Sequence, residues 1–394
     1  NYNTAVGFEA GREVTSGTLN TLLGGQTGDA ITTGASNTAL GYAALSENTA
    51  GSQNTAVGNL ALLNLNHTTA TNAYNVAVGA GAGQLVTTGI SNILIGSLAG
   101  DALTDADYNT AVGTFALTTD TLGSKSTALG YGALQNQNFA TATNSLNVAV
   151  GMETGYAITT GIQNTLIGAN AGDALTASDN NVAVGVGALG SDTLGNRNVA
   201  IGTSALFNQN FTTATSAYNV AVGHKAGISV STGSLNTLMG GLTGDALTTG
   251  TTNTAVGTQA LTADTAGNRS VAIGNAALFV QNFSTSTNAY NVAVGYEAGA
   301  AVTTGISNTL IGGLAGDALT DADSNIAIGV NALTTDTLGS TSVAIGQDAL
   351  STQNFTTATN TYNVAVGHSA GAGNTTGIRN EFIGGLAGYS NTTG

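Results

Sequence analysis

Asn3-Thr4-Ala5-Val6-Gly7 is the first occurrence of a five-residue phrase that returns throughout the 394-residue chain. Its form is Asn or Ser, then Thr, Val or Ile, then Ala or Leu, then a large aliphatic residue, then Gly. The next copies begin at Asn20, Asn37, Asn54 and Asn75, at spacings of 17, 17, 17 and 21 residues. The 72-residue cycle recurs, with Asn147, Asn219, Asn291 and Asn363 opening later cycles. The chain therefore reads as super-repeats 3–74, 75–146, 147–218, 219–290, 291–362 and a partial 363–394, in one repeat array. All 22 copies, the last starting at Asn380, end in Gly. Repetition of this regularity overrides any division into domains by length.

Outside the pentapeptide the pattern continues. Phe8-Glu9-Ala10-Gly11 and Tyr42-Ala43-Ala44-Leu45 follow it with a small residue and then Gly or Leu. A turn-rich stretch such as Val86-Thr87-Thr88-Gly89 comes next. A period of 17 residues is too short for a helix-containing repeat and fits one coil of short strands and turns. β-branched and aliphatic residues suit the strands, whereas Gly, Asn and Ser suit the turns. The sequence thus predicts an all-β parallel β-solenoid of 22 rungs, roughly 100 Å long at ~4.8 Å per rung.

Strand faces alternate with period two. Placing Thr4 and Val6 inside the coil turns Ala5 outward, yet its equivalents are never polar. A strand apolar on both faces is buried on both, so the second face is expected to meet another copy of the chain around an axis. On that reading Ala5 and its equivalents line the axis, with Leu22, Leu94, Leu166, Leu238, Leu310 and Phe382 as bulkier plugs once per super-repeat. The invariant Gly implies a positive-φ position after the strand. The leading Asn is expected to stack on its neighbours as an amide ladder, with Ser126, Ser270 and Ser342 keeping a hydrogen-bonding group there.

Composition narrows the function. Asp and Glu number 21 against 6 Lys and Arg, a net charge of −15. Such a surface repels phosphate backbones and anionic lipid, so neither nucleic acid nor an anionic membrane is an expected partner. Charged residues make up only 7%, but Thr, Asn, Ser and Gly interrupt every apolar run, so no membrane insertion of this segment is expected. Cysteine is absent, which removes disulfides and thiolate metal sites. A hydrophobic content of 42% in strict order argues against disorder. The chain opens within a repeat and without Met, and is read as a mature product or a piece of something longer.

Segments such as Asn198-Val199-Ala200-Ile201-Gly202 and Ser342-Val343-Ala344-Ile345-Gly346 resemble the head repeat of trimeric autotransporter adhesins, a repeat also found in phage tail fibres. The resemblance spans essentially the whole chain, although these coils are longer than the family's usual repeat. It implies a left-handed parallel β-roll, a side-by-side homotrimer, and an extracellular place on a virion or an outer cell surface. It also implies a host-surface glycan or protein receptor, met by this rod or by a segment beyond it. No cofactor and no catalysis are expected; the alternatives are a polysaccharide-degrading tailspike and a purely structural extracellular filament.

Several columns are candidate sites. The insert of the 21-residue rung carries Asn138-Phe139, Asn210-Phe211, Asn282-Phe283 and Asn354-Phe355, each after a Gln. Amides and aromatics on a protruding loop could bind a glycan; packing that locks the assembly is the plainer reading. Tyr74, Tyr218, Tyr290 and Tyr362 close four such rungs and Leu146 the fifth. An acidic column runs through Asp29, Asp101, Asp173, Asp245 and Asp317, with Asp105, Asp107, Asp321 and Asp323 nearby. It is read as turn aspartates rather than a calcium site, because the Gly-Gly-x-Gly-x-Asp pattern of calcium β-rolls is missing. Lys125, Arg197 and Arg269 follow Asp120, Asp192 and Asp264 by five residues, as exposed ion pairs would. His67, His224 and His368 form no cluster in the sequence. A depolymerase would need paired carboxylates breaking the repeat, and no interior segment does. Thr lies mainly in turns, which argues against an ice-binding array. Glu381, where other rungs have Thr, Val or Ile, suggests an end cap.

Overall fold

The protein is described by a computed structural model covering residues 2–393. Among these residues every regular element is a short β-strand and no α-helix occurs. The chain divides into two units, Asn1–Arg197 with Thr212–Thr215, and Asn198–Phe211 with Ser216–Gly394.

Each unit is a parallel β-solenoid. In the first, strand Thr4–Val6 pairs in parallel with Thr21–Leu23, that strand with Thr38–Leu40, and so on to Val182–Val184. In the second, Val199–Ile201 begins an equivalent succession that ends at Glu381–Ile383. Register follows the repeat without slippage: Ala5 lies opposite Leu22, 17 residues on, and Ala56 opposite Ala77, 21 residues on. The four extra residues of the long rung are absorbed by a second, two-residue ladder. Gly123–Ser124 pairs with Thr143–Asn144, and Gly267–Asn268 with Thr287–Asn288.

The pleat runs opposite to the sequence expectation. Leu22 is 1% exposed, and Leu94, Leu166, Leu238 and Leu310 are fully buried inside the coil of the single chain. Their Ala equivalents from Ala39 onward are buried as well. Phe382 is nearly so, and Ala5 is exposed on the first rung of the first unit. These residues fill the coil's own core, so they cannot line an axis between chains. Thr, Val and Ile at the second position and Val, Ile, Leu and Met at the fourth point outward instead.

Core volume explains the placing of Leu. A Cβ added to Gly227 would lie 2.7 Å from Leu238 Cδ1, and one on Gly244 2.8 Å from Leu238 Cδ2. Leu238 thus occupies space that two neighbouring glycines leave free. Most coils with Ala in the strand carry Leu at the corresponding turn, as Ala39 does with Leu45, whereas the Ala221 coil, which precedes the Leu238 strand and pairs with it, carries Gly227. Interiors packed to near crystal density require this exchange of large and small.

The asparagine column forms the expected ladder. Asn20 N donates to Asn3 Oδ1 at 2.8 Å, and Asn37 N to Asn20 Oδ1 at 3.0 Å. Most Nδ2 groups of the column also reach a backbone carbonyl, as Asn20 Nδ2 does with Gly34 O at 2.9 Å, whereas the buried Asn380 Nδ2 on the last rung has no partner among the described residues. The pentapeptide glycines stack directly. Gly151 has φ +137°, and a Cβ there would meet Gly168 C at 2.7 Å, so no side chain fits.

Candidate functional surface

In the insert of the 21-residue rung Gln and Phe turn inward, whereas Asn138, Asn210, Asn282 and Asn354 and the residues just after each Phe stay exposed. The Phe139, Phe211, Phe283 and Phe355 rings are buried, between 5% and 8% exposed. Asn138 Oδ1 accepts Thr121 Oγ1 at 3.0 Å, Asn282 Oδ1 accepts Thr265 at 3.0 Å, and Asn354 Oδ1 accepts Thr337 at 3.2 Å. Asn210 is held through its backbone N–H by Ser231 O at 2.9 Å. The four Phe close the coil, so no aromatic platform for a ligand projects from the insert, while the four Asn lie exposed beside them.

Beneath each Phe lies a polar knot that the sequence reading missed. Gln281 Nε2 donates to Asp264 Oδ2 at 2.7 Å and to Ser270 Oγ at 2.9 Å, while Gln281 Oε1 accepts Asn291 Nδ2 at 2.9 Å. Asp264 Oδ1 takes the amides of Gly267 at 3.0 Å and Phe283 at 3.1 Å. The same set recurs at Asp120, Ser126, Gln137 and Asn147 and at Asp336, Ser342, Gln353 and Asn363. At Ser126, Ser270 and Ser342 the Gln amide carries the ladder onward, whereas the third super-repeat keeps Asn198 beside Gln209, and Asn219 bonds both. Asp120, Asp192 and Asp264 are buried, which overturns the ion pairs expected with Lys125 and Arg269. Lys125 is exposed, and Arg269 bonds the Tyr290 hydroxyl and covers its ring at 5.5 Å. Asp192 is likewise held from within, its Oδ1 accepting Gly195 N at 3.0 Å. Burial raises the Asp264 carboxyl above the ordinary carboxylate range, opposed by its bond from Gln281.

The acidic column is bound between rungs. Asp29 accepts Ser46 Oγ at 2.5 Å, Asp317 accepts Thr334 Oγ1 at 2.5 Å, and Asp101 and Asp245 accept Thr118 and Thr262. Asp173 is contacted by Asn170 Nδ2 at 3.3 Å. Asp107 and Asp323 each cap a backbone N–H of the preceding rung at 2.8 Å, and Asp105 and Asp321 each accept a Thr hydroxyl at 2.6 Å. Partial burial pushes Asp101, Asp173 and Asp317 upward. Among the described residues no three His, Asp or Glu side chains gather as a metal site. His67 is buried and burial lowers its pKa, whereas His224 and His368 are exposed. Thr does form one column, but its hydroxyls turn to the next rung: Thr32 Oγ1 donates to Thr49 O at 3.1 Å and Thr248 Oγ1 to Thr265 O at 2.9 Å.

Apart from Glu381, the outward strand columns are Thr and apolar residues. In the first unit Ile93, Ile95, Leu129 and Ile167 are exposed, and in the second Ile201, Met239, Ile273 and Ile311. Tyr74, Tyr218, Tyr290 and Tyr362 stand beside this strip at about half exposure, with Leu146 in the same column. Glu381 falls on the outward face too, so its charge meets solvent. Tyr389, at the phase of the acidic column, is also exposed. No helix among the described residues is long and apolar enough to cross a membrane. No protein-family model and no curated protein matches this chain.

Proposed function

We propose that the chain is the shaft of an extracellular fibre or adhesin, self-associated side by side as a homotrimer through its outward strand columns. The carrying observation is the composition of those columns. On rung after rung the two outward strand positions are Thr, Val, Ile, Leu or Met, and Glu381 alone is charged. An exposed, uncharged strip of this extent is unusual for a protein that works alone.

A second copy is the natural cover. It carries the same strip at the same ~4.8 Å rung spacing, so aligned copies meet in register. Each unit has eleven such strands, which at ~4.8 Å by ~10 Å offer ~500 Å² of flat face. Flanking columns such as Tyr290 and Tyr362 widen it toward the ~800 Å² per partner of a standard interface. The threefold number, the left-handed coil and the setting on a virion or outer cell surface rest on the resemblance to adhesin and tail-fibre repeats. The aspartates satisfied by backbone amides and by Thr or Gln support a framework role for these acids over a depolymerase site.

Sedimentation equilibrium decides the assembly. A mass three times the 38.4 kDa chain is expected; a stable monomer at micromolar concentration refutes the proposal.

A further inference from the structure

Two residues after each pentapeptide Gly, the backbone holds a positive φ whatever the side chain. Leu242, Gln259, Ala276, Glu297 and Leu314 have φ between 52° and 58°. Gln259, Ala276 and Glu297 are consecutive in this column, ~4.8 Å per step. Ala276 is the small member, and a depression of about 240 Å³ opens over it. Its walls are Gln259, Asn275, Phe279, Glu297 and Ala300, all in the second unit. That volume lies below the ~300–1,000 Å³ of sites for drug-sized ligands and suits a single ring.

The lining combines an aromatic ring, two amides and a carboxylate. Asn275 Nδ2 is tied to Thr258 O at 3.2 Å, which leaves its Oδ1 for a ligand. The same place 144 residues earlier, within the first unit, carries the same chemistry on other residues: Phe115, Tyr131, Gln135, Glu153 and Tyr156 around Gly132. Phe115 and Tyr131 pack edge to face with centroids 5.9 Å apart. Gln135 Oε1, Glu153 Cγ and Tyr156 Cδ2 lie 3.1, 3.6 and 3.8 Å from where a Gly132 Cβ would be. Positive φ does not demand glycine here, since Phe115 and Glu153 adopt 61° and 52° in the same column. The small residue instead lets those side chains converge.

We propose that the depression over Ala276, and the equivalent cluster of side chains around Gly132, bind an uncharged saccharide ring. This deepens the adhesive reading and rests on it. The ring of Phe279 covers the C–H face of a sugar, as aromatic faces take flat apolar surface. Glu297 accepts a neighbouring pair of hydroxyls in charge-assisted bonds, and the Gln259 amide both donates and accepts. Anionic sugars are repelled by Glu297, whose charge also reaches Asp317, and by the net charge of −15.

Saturation-transfer NMR on the full chain with lactose, maltotriose and N,N′-diacetylchitobiose, beside sialyllactose, tests the site. Tyrosine fluorescence gives the affinity, because the chain has 11 Tyr and no Trp. At least one neutral probe should receive saturation. Its affinity should fall at least tenfold when Glu297→Gln and Phe279→Ala are combined with Glu153→Gln and Tyr131→Ala, and stay unchanged in Asn138→Ala. The isosteric pair Glu153→Gln and Glu297→Gln alone should weaken binding with the circular dichroism spectrum retained. The inference is overturned if no neutral probe binds, if sialyllactose binds better than lactose, or if Asn138→Ala rather than the Glu variants loses binding. Sedimentation of the same samples reads self-association separately, so lost or absent sugar binding at unchanged mass sinks the sugar site and leaves the fibre reading standing.

Discussion

Asp264 is a carboxyl with no exposed surface, held by two backbone amides and one Gln amide. Burial raises its pKa, as partial burial does for Asp101, Asp173 and Asp317. The folded state therefore binds these protons more tightly than the unfolded chain. Stability from that difference is complete below the ordinary Asp value of ~3.9 and is lost as pH rises through the raised folded values. His67, lowered by burial, works the other way but is a single group. Melting temperature should thus rise as pH falls from 7 toward ~4, and Asp264→Asn should flatten part of that rise. A melting temperature that falls steadily between neutrality and pH 5 contradicts this assignment. The burial of Asp264 was hidden in the sequence because Arg269, five residues on, suggests an exposed pair. The pleat, in contrast, was legible and was misassigned. Asn, Ala and Gly at the first, third and fifth places share one face by period two, so an interior Asn ladder already implied an interior Ala.

At the scale of the element, the long rung is where the repeat varies in a correlated way. Asp120, Ser126 and Gln137 become Asp264, Ser270 and Gln281 or Asp336, Ser342 and Gln353; the third super-repeat keeps Asp192 and Gln209 with Asn198, and the first has Asn48, Asn54 and Leu65. Asn48 makes the same turn bond, with Gly51 N at 3.0 Å, and Leu65 is buried without needing a polar partner. Two solutions to one cavity are thus present in one chain: a charged knot and an apolar plug. Gln281→Leu alone strips Asp264 Oδ2 of its donor and should destabilise the protein by about 1–3 kcal/mol, the cost of an orphaned buried polar group, or more while the carboxylate is charged. Adding Asp264→Asn and Ser270→Asn recreates the first arrangement and should restore most of that loss in a urea titration. Additive losses across the three substitutions would show that the knot is not a unit. The 17/17/17/21 spacing revealed where the long rung lies. It could not reveal that the insert folds back as a second ladder, because that depends on which carboxylate and hydroxyl the Gln amide reaches and which turn carbonyls the Asn amides reach.

For the whole molecule, the repeat runs through both units, and each unit presents the same outward columns. Core and contact surface are separated by a single step along the strand. Ala255 is fully buried, whereas its neighbour Val256 is partly exposed on the opposite face. The account therefore predicts two different failures from the same substitution made one residue apart. Asp at the core position buries an unpaired charge. Asp at the outer position leaves the coil intact and sets like charges against each other only when copies meet. The most direct test is velocity sedimentation with circular dichroism on Val222→Asp/Val256→Asp/Val294→Asp beside Ala221→Asp/Ala255→Asp/Ala293→Asp. The Val variant should sediment as a monomer with an unchanged β spectrum, and the Ala variant should lose the spectrum itself. A Val variant that keeps the mass of the native assembly, or an Ala variant that stays folded and merely dissociates, contradicts the account.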